Sequence, residues 1–183
     1  SPALLVYPDR VDENIRRMIR LAGGVGRLRP HMKTSKLPEV VRMHLDQGIT
    51  RYKVATIAEA EMTAAAGAPD VLLAYQPVGP NIGRLIRLIG QFPNTTFGAL
   101  VDDEANAIAI SNAAVSAGVS VRLYMDLDVG MHRSGKCDSG AFTEIQVVGD
   151  GLNRFGVDGN NAQPGRRPRY PIAAAHRTTS ARD

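Results

Sequence analysis

The sequence has no tryptophan, few aromatics of any kind (5%) and a single cysteine, Cys137. With its five tyrosines scattered, it offers no row of aromatic faces on which unpaired bases could stack. Its basic residues are dispersed among acidic ones and the formal net charge is only +4. That is not the footprint of a surface that tracks a phosphate backbone, so nucleic acid is not an expected partner. One cysteine excludes an intramolecular disulfide and any thiolate metal cluster. No apolar run is long enough to span a bilayer, and no charged n-region with a small-residue cleavage pattern opens at Ser1, so a soluble, cytoplasmic protein with no membrane partner is expected. No G-x-G-x-x-G follows the first predicted strand, which argues against a dinucleotide-binding sheet.

What is present is a chain of 183 residues with an apolar fraction of 44%, enough for one domain with a substantial core. Leu4-Leu5-Val6-Tyr7 predicts a short strand, and Val11, Ile15, Met18, Ile19 and Ala22 lie at helical spacing before Gly23-Gly24. Val40, Val41, Met43 and Leu45 predict a second helix from Pro38 to Gly48, with His44 on its outer surface. Strands are then predicted at Tyr52 to Thr56, Val71 to Tyr75, Thr96 to Val101 and Ser120 to Asp128. Helices are predicted between them, over Ile57 to Ala66, from Ile82 to Phe92, and from Glu104 to Ala117. Strands separated by single helices require crossover connections and therefore a parallel sheet.

The segment Arg27-Leu28-Arg29-Pro30-His31-Met32-Lys33-Thr34-Ser35-Lys36 puts a lysine where an extended stretch gives way to a helix. A lysine amine becomes a nucleophile toward a carbonyl when desolvation or a nearby cation favours its neutral form, and Arg29, His31 and Lys36 supply neighbouring positive charge. Lys33 is thus the leading candidate for chemistry, against the alternative of two ordinary solvated lysines at a helix start. Polar residues recur at the other expected strand exits: Thr56, Gln76, Asp102 and Arg133. This arrangement predicts an α/β fold, a (β/α) TIM-type barrel of parallel strands with its chemistry at their carboxyl ends. The barrel reads as partial, with about five βα units where a closed one takes roughly 250 residues.

After Gly135-Lys136-Cys137 the periodicity ends. Residues 1–137 read as the partial barrel, and 138–183 as an atypical Gly/Pro/Arg-rich tail, disordered or frame-shifted, in which the lone His176 is no metal ligand. Open sheet edges favour association, with a homodimer as the simplest form. Such a partial barrel is expected to show weak or no activity alone.

Four strings carry a resemblance: Pro2-Ala3-Leu4-Leu5-Val6; Arg29-Pro30-His31-Met32-Lys33-Thr34; Ala55-Thr56-Ile57-Ala58-Glu59-Ala60-Glu61; and Asp128-Val129-Gly130-Met131-His132-Arg133-Ser134-Gly135. In this order and spacing the chain resembles the fold-type III, pyridoxal-phosphate-dependent D-threonine aldolase and D-serine dehydratase-like family of the alanine racemase N-terminal domain group. The resemblance implies that Lys33 forms the internal aldimine with pyridoxal 5'-phosphate. It also implies that Arg133 lies near the cofactor and the substrate anion, where its planar fork suits a carboxylate. Gln76 and Thr56 would be polar groups of the same pocket. His31 would orient that pocket or fill space, and Arg133 has the structural alternative of pairing with Asp126 or Asp128. Ser35 stands where the family usually has His. The implied activity is aldol cleavage of a β-hydroxy D-amino acid, the small-molecule partner; D-serine dehydration or racemisation on the same scaffold, and an inactive fragment, are the alternatives. The divalent-metal site of full-length members belongs to a C-terminal β-domain whose ligands are not recognisable here, so no metal residue is assigned.

Overall fold

The computed structural model describes residues 5–128 and 130–135. Leu4, the boundary at 137, Cys137, the passage 138–183 and His176 lie outside the described residues. Helix α1 spans Pro8–Ala22, with proline in its first turn and Gly23 at φ 74° closing it, the Gly23 N–H bonding Arg20 O and the Gly24 N–H bonding Ile19 O. A 3₁₀ turn at Val25–Arg27 leads into an extended stretch ending at His31. There follow α2 (Pro38–Asp46), β1 (Arg51–Val54), α3 (Ile57–Ala65), β2 (Asp70–Leu73) and α4 (Pro80–Gln91). The series closes with β3 (Thr96–Val101), α5 (Glu104–Ser116) and β4 (Arg122–Met125).

The four strands form one parallel sheet in the order β1-β2-β3-β4, each paired with the one before it. The extended stretch adds a parallel bridge, His31 to Lys53, through Met32 N–H to Lys53 O (2.8 Å) and Lys53 N–H to Pro30 O (2.8 Å). Sequential parallel winding of βα units is the arrangement of a (β/α) barrel, here present as an open sheet.

Because side chains alternate along a strand, the sheet has two unlike faces. Tyr52, Val54, Val71, Leu73, Phe97, Ala99, Val101 and Leu123 point to the helices and are all buried, with Ile15, Val41, Ala60, Leu85 and Ile110 among the helical side chains of that core. The opposite face carries Lys53, Leu72, Gly98 and Arg122 in one register row. On it the ring of Tyr124 lies over bare Gly98: a Cβ there would fall 2.7 Å from Tyr124 Cε2. At the amino end of this face Asp70 accepts from Arg29 Nη1 (2.6 Å) and from Arg122 Nη1 (3.1 Å). One carboxylate therefore ties the start of β2 to the stretch before β1 and to β4.

Two expectations are corrected. Leu5, Val6 and Tyr7 form no strand: they are exposed, have no neighbouring strand among the described residues, and Tyr7 O accepts from Arg10 and Val11 N–H as the entry to α1. Among the described residues the sheet has four named strands, extended by the His31 bridge, as a segment of a partial barrel. His44 is not on the surface. Its ring is buried, with Nδ1 2.8 Å from Val40 O and its edge toward Tyr52 at 6.2 Å between centroids.

Candidate active site

The carboxyl ends of the strands gather two polar clusters. The first is built on the turn after the His31 bridge. Met32 is buried and anchors the turn, Lys36 N–H bonds Met32 O (2.9 Å), and Thr34 Oγ1 donates to His31 O (3.3 Å). Lys33 sits between these anchors with an exposed side chain, and its amine makes no hydrogen bond or ion pair among the described residues. Its backbone N–H donates to His31 Nδ1 (3.3 Å), which assigns the acceptor role to that ring nitrogen. The His31 pKa is held below 6.5 by burial first, then by the charges of Lys33 and Lys53, against the opposing charge of Glu59 and a backbone hydrogen bond at Lys53.

Across the turn lies the start of α3. Thr56 caps the helix by accepting from Glu59 N–H (3.1 Å). The Glu59 side chain is buried; it accepts from Ala55 N–H (2.8 Å) and from Lys36 Nζ (2.6 Å). Burial pushes the Glu59 carboxyl up, but the hydrogen bonds from Lys36 and Ala55 and the charges of Lys36 and His31 outweigh it, and the net direction is down. Lys36 is thus no free cation beside Lys33, and Arg29, bonded to Asp70 at the opposite end of the sheet, is no neighbour of the amine at all.

The second cluster joins three strand exits. Gln76, after β2, donates through Nε2 to Asp102 Oδ2 (2.9 Å) after β3 and to Asp126 Oδ2 (3.1 Å) after β4. Asp128 accepts from Gly130 N–H (2.9 Å) and His132 N–H (3.0 Å) and pairs with His132 Nδ1 (3.0 Å). These bonds shape the loop that carries Arg133, whose side chain is exposed. Gly135 (φ 93°) closes the loop where a Cβ would meet Asp128 N at 2.8 Å and Asp126 O at 2.9 Å, so only glycine fits.

Lys33, His31 and Thr56 therefore share one cluster, and Gln76 heads the other. No hydrogen bond or ion pair joins either Gln76 or Arg133 to Lys33 among the described residues. Sequence reasoning passed over Glu59, Asp126 and Asp128 as site residues. The Thr56-x-x-Glu59 capping pattern and the shared face of Arg122, Tyr124 and Asp126 were the signals available for the first two.

A sequentially wound parallel sheet with polar groups at its strand exits defines the class: a segment of a (β/α) barrel, whose enzymes work at that end. Residues 6–158 match the family model described as alanine racemase, N-terminal domain. The chain is 32% identical over 136 residues to D-threo-3-hydroxyaspartate dehydratase of Delftia sp. (strain HT23), covering 74% of this chain and 35% of that protein. It is 30% identical over 171 residues to 3-hydroxy-D-aspartate aldolase of Paracoccus denitrificans, covering 91% of this chain and 43% of that one. The solved structure of D-threonine aldolase from Filomicrobium marinum superposes with a TM-score of 0.67 at 28% identity, over 74% of this chain and 36% of that one. The chain belongs to the alanine racemase N-terminal domain family, the barrel of the fold-type III pyridoxal-phosphate enzymes. It spans well under half the length of these relatives.

Proposed function

We propose that the chain carries the cofactor lysine of a pyridoxal-phosphate-dependent lyase acting on β-hydroxy D-amino acids, and that this lysine is Lys33. The supporting observation is the contrast between the motif's two lysines. Lys36 is held against a buried carboxylate, whereas the Lys33 amine stands at the carboxyl end of the sheet with no partner among the described residues. A primary amine without a carboxylate beside it is the group that fits the cofactor's aldehyde.

When bound, pyridoxal phosphate supplies the electron sink for the electron pair left at the substrate's α-carbon. The chain's own residues do the rest. Lys33 would hold the cofactor, and its amine is a base on that face. Arg133 offers a bidentate fork for an anion. The amide of Gln76 is fixed in orientation by two carboxylates, and Thr56 and His31 line the exit beside the lysine.

Aldol cleavage is the reading preferred here. Dehydration of the same substrate class is the second, favoured by the likeness to the Delftia dehydratase. The test is reductive trapping: the full chain is mixed with pyridoxal phosphate, reduced with borohydride and peptide-mapped. The expected label lies on Lys33 and disappears in Lys33→Ala; a folded chain labelled elsewhere or nowhere refutes the assignment, leaving a fragment without this chemistry. Incubation with D-threonine then separates the reactions, glycine and acetaldehyde marking the aldolase, a 2-oxo acid and ammonia the dehydratase.

A further inference from the structure

Thr56 and Glu59 stand as the first and fourth residues of a Thr-x-x-Glu helix start, where the glutamate ordinarily reaches back to the N–H of the cap residue itself. Here the Glu59 carboxylate goes elsewhere. One oxygen takes the N–H of Ala55, one residue earlier, and the other takes Lys36 Nζ at 2.6 Å from a different element. The Glu59 side chain is only 5% exposed, while that of Lys36 is 61% exposed. A buried carboxylate in such a place needs its cation, because leaving it unpaired is costly.

Lys36 also adopts φ 50°, a left-handed conformation uncommon for a residue with a Cβ. The turn is thus closed at one end by the His31 bridge to Lys53 and at the other by this ion pair, with Lys33 between them. From this geometry we infer that Glu59 is a positioning residue that selects between two amines three residues apart. It holds Lys36 as a paired ammonium and leaves Lys33 as the amine that meets an aldehyde. The inference rests on the reading of Lys33 as the cofactor lysine. The ion pair ties the Ala-Thr-x-x-Glu-Ala string to Lys36, two residues beyond the Arg-Pro-His-x-Lys-Thr string.

The experiment compares the full chain with Glu59→Gln, which keeps an acceptor for Ala55 N–H but removes the charge. Both are treated with pyridoxal phosphate, reduced with borohydride, and the label on Lys33 is divided by that on Lys36. Releasing a mostly exposed ammonium from its partner should lower this ratio about two- to fivefold. An unchanged ratio in a variant with native circular dichroism overturns the inference while leaving the cofactor lysine standing; absence of Lys33 label in the unaltered chain overturns the parent reading instead. Should Glu59→Gln fail to fold, trace acetylation of the unaltered chain decides. Lys33 acetylated faster than Lys36 supports the inference, and equal rates refute it.

Discussion

Replacing Asp70 by asparagine should weaken the fold, because it removes the charge to which two arginines are tied. The Asp70 carboxylate holds Arg29 at 2.6 Å, with only 19% and 10% of the two side chains exposed, and Arg122 at 3.1 Å. Removing one member of a fully buried ion pair costs about 3–5 kcal/mol, because the remaining charge stays out of water without compensation, and this pair, largely but not fully buried, falls at the low end. Arg29 would keep its bond to Tyr52 O and face a neutral amide oxygen in place of a carboxylate, and its Nε has no partner among the described residues even now. The Arg122 arm is half exposed and adds about 0–1 kcal/mol. Asp70→Asn should therefore lose about 3 kcal/mol in urea unfolding followed by circular dichroism, and Arg122→Gln no more than about 1 kcal/mol. If the two variants unfold at the same urea concentration, the buried arm is not what holds the strand bases together, and the reasoning is wrong.

Two further outcomes are expected. Gly98→Ala forces a Cβ to within 2.7 Å of Tyr124 Cε2 and should cost about 1–2 kcal/mol, since the half-buried ring can partly yield; in a Tyr124→Ala background the cost should vanish, and its persistence there would show that the contact is not its source. His44 has its pKa held below 6.5 by burial, opposed by its bond to Val40. The unfolded chain then takes up the proton first as the pH falls. This contribution is complete above about pH 6.5 and is lost as the pH drops through the folded-state value. His31 is shifted in the same direction, so His44→Leu should flatten the acid side of the stability curve without abolishing its slope, and an unchanged slope counts against the buried ring.

The helices and the last four strands were legible because their signals are local: apolar spacing, prolines in the first turns of α1, α2 and α4, and glycines such as Gly23 at a helix end. Strand limits moved by one to three residues, as where Thr56 serves to cap α3. Leu5 to Tyr7 misled because an apolar string becomes a strand only if another strand lies beside it, which spacing alone does not report. His44 misled for a related reason. A histidine among charged helix residues reads as solvated until α2 is seen to turn that side onto Tyr52. At the candidate site the residue types at strand exits could be read directly. The bonds that sort them, Glu59 to Lys36 and Gln76 to Asp102 and Asp126, span 23 to 50 residues of sequence and follow from the winding of the chain.

Each strand of the sheet pairs with the strand made just before it, and none waits for a distant segment to supply its neighbour. Contacts of short sequence separation form quickly. As the polypeptide leaves the ribosome, β2 can dock on β1 as soon as α3 has crossed over, then β3 on β2, then β4 on β3. Synthesis and assembly can run in step from one end to the other, each new strand adding at the same growing edge.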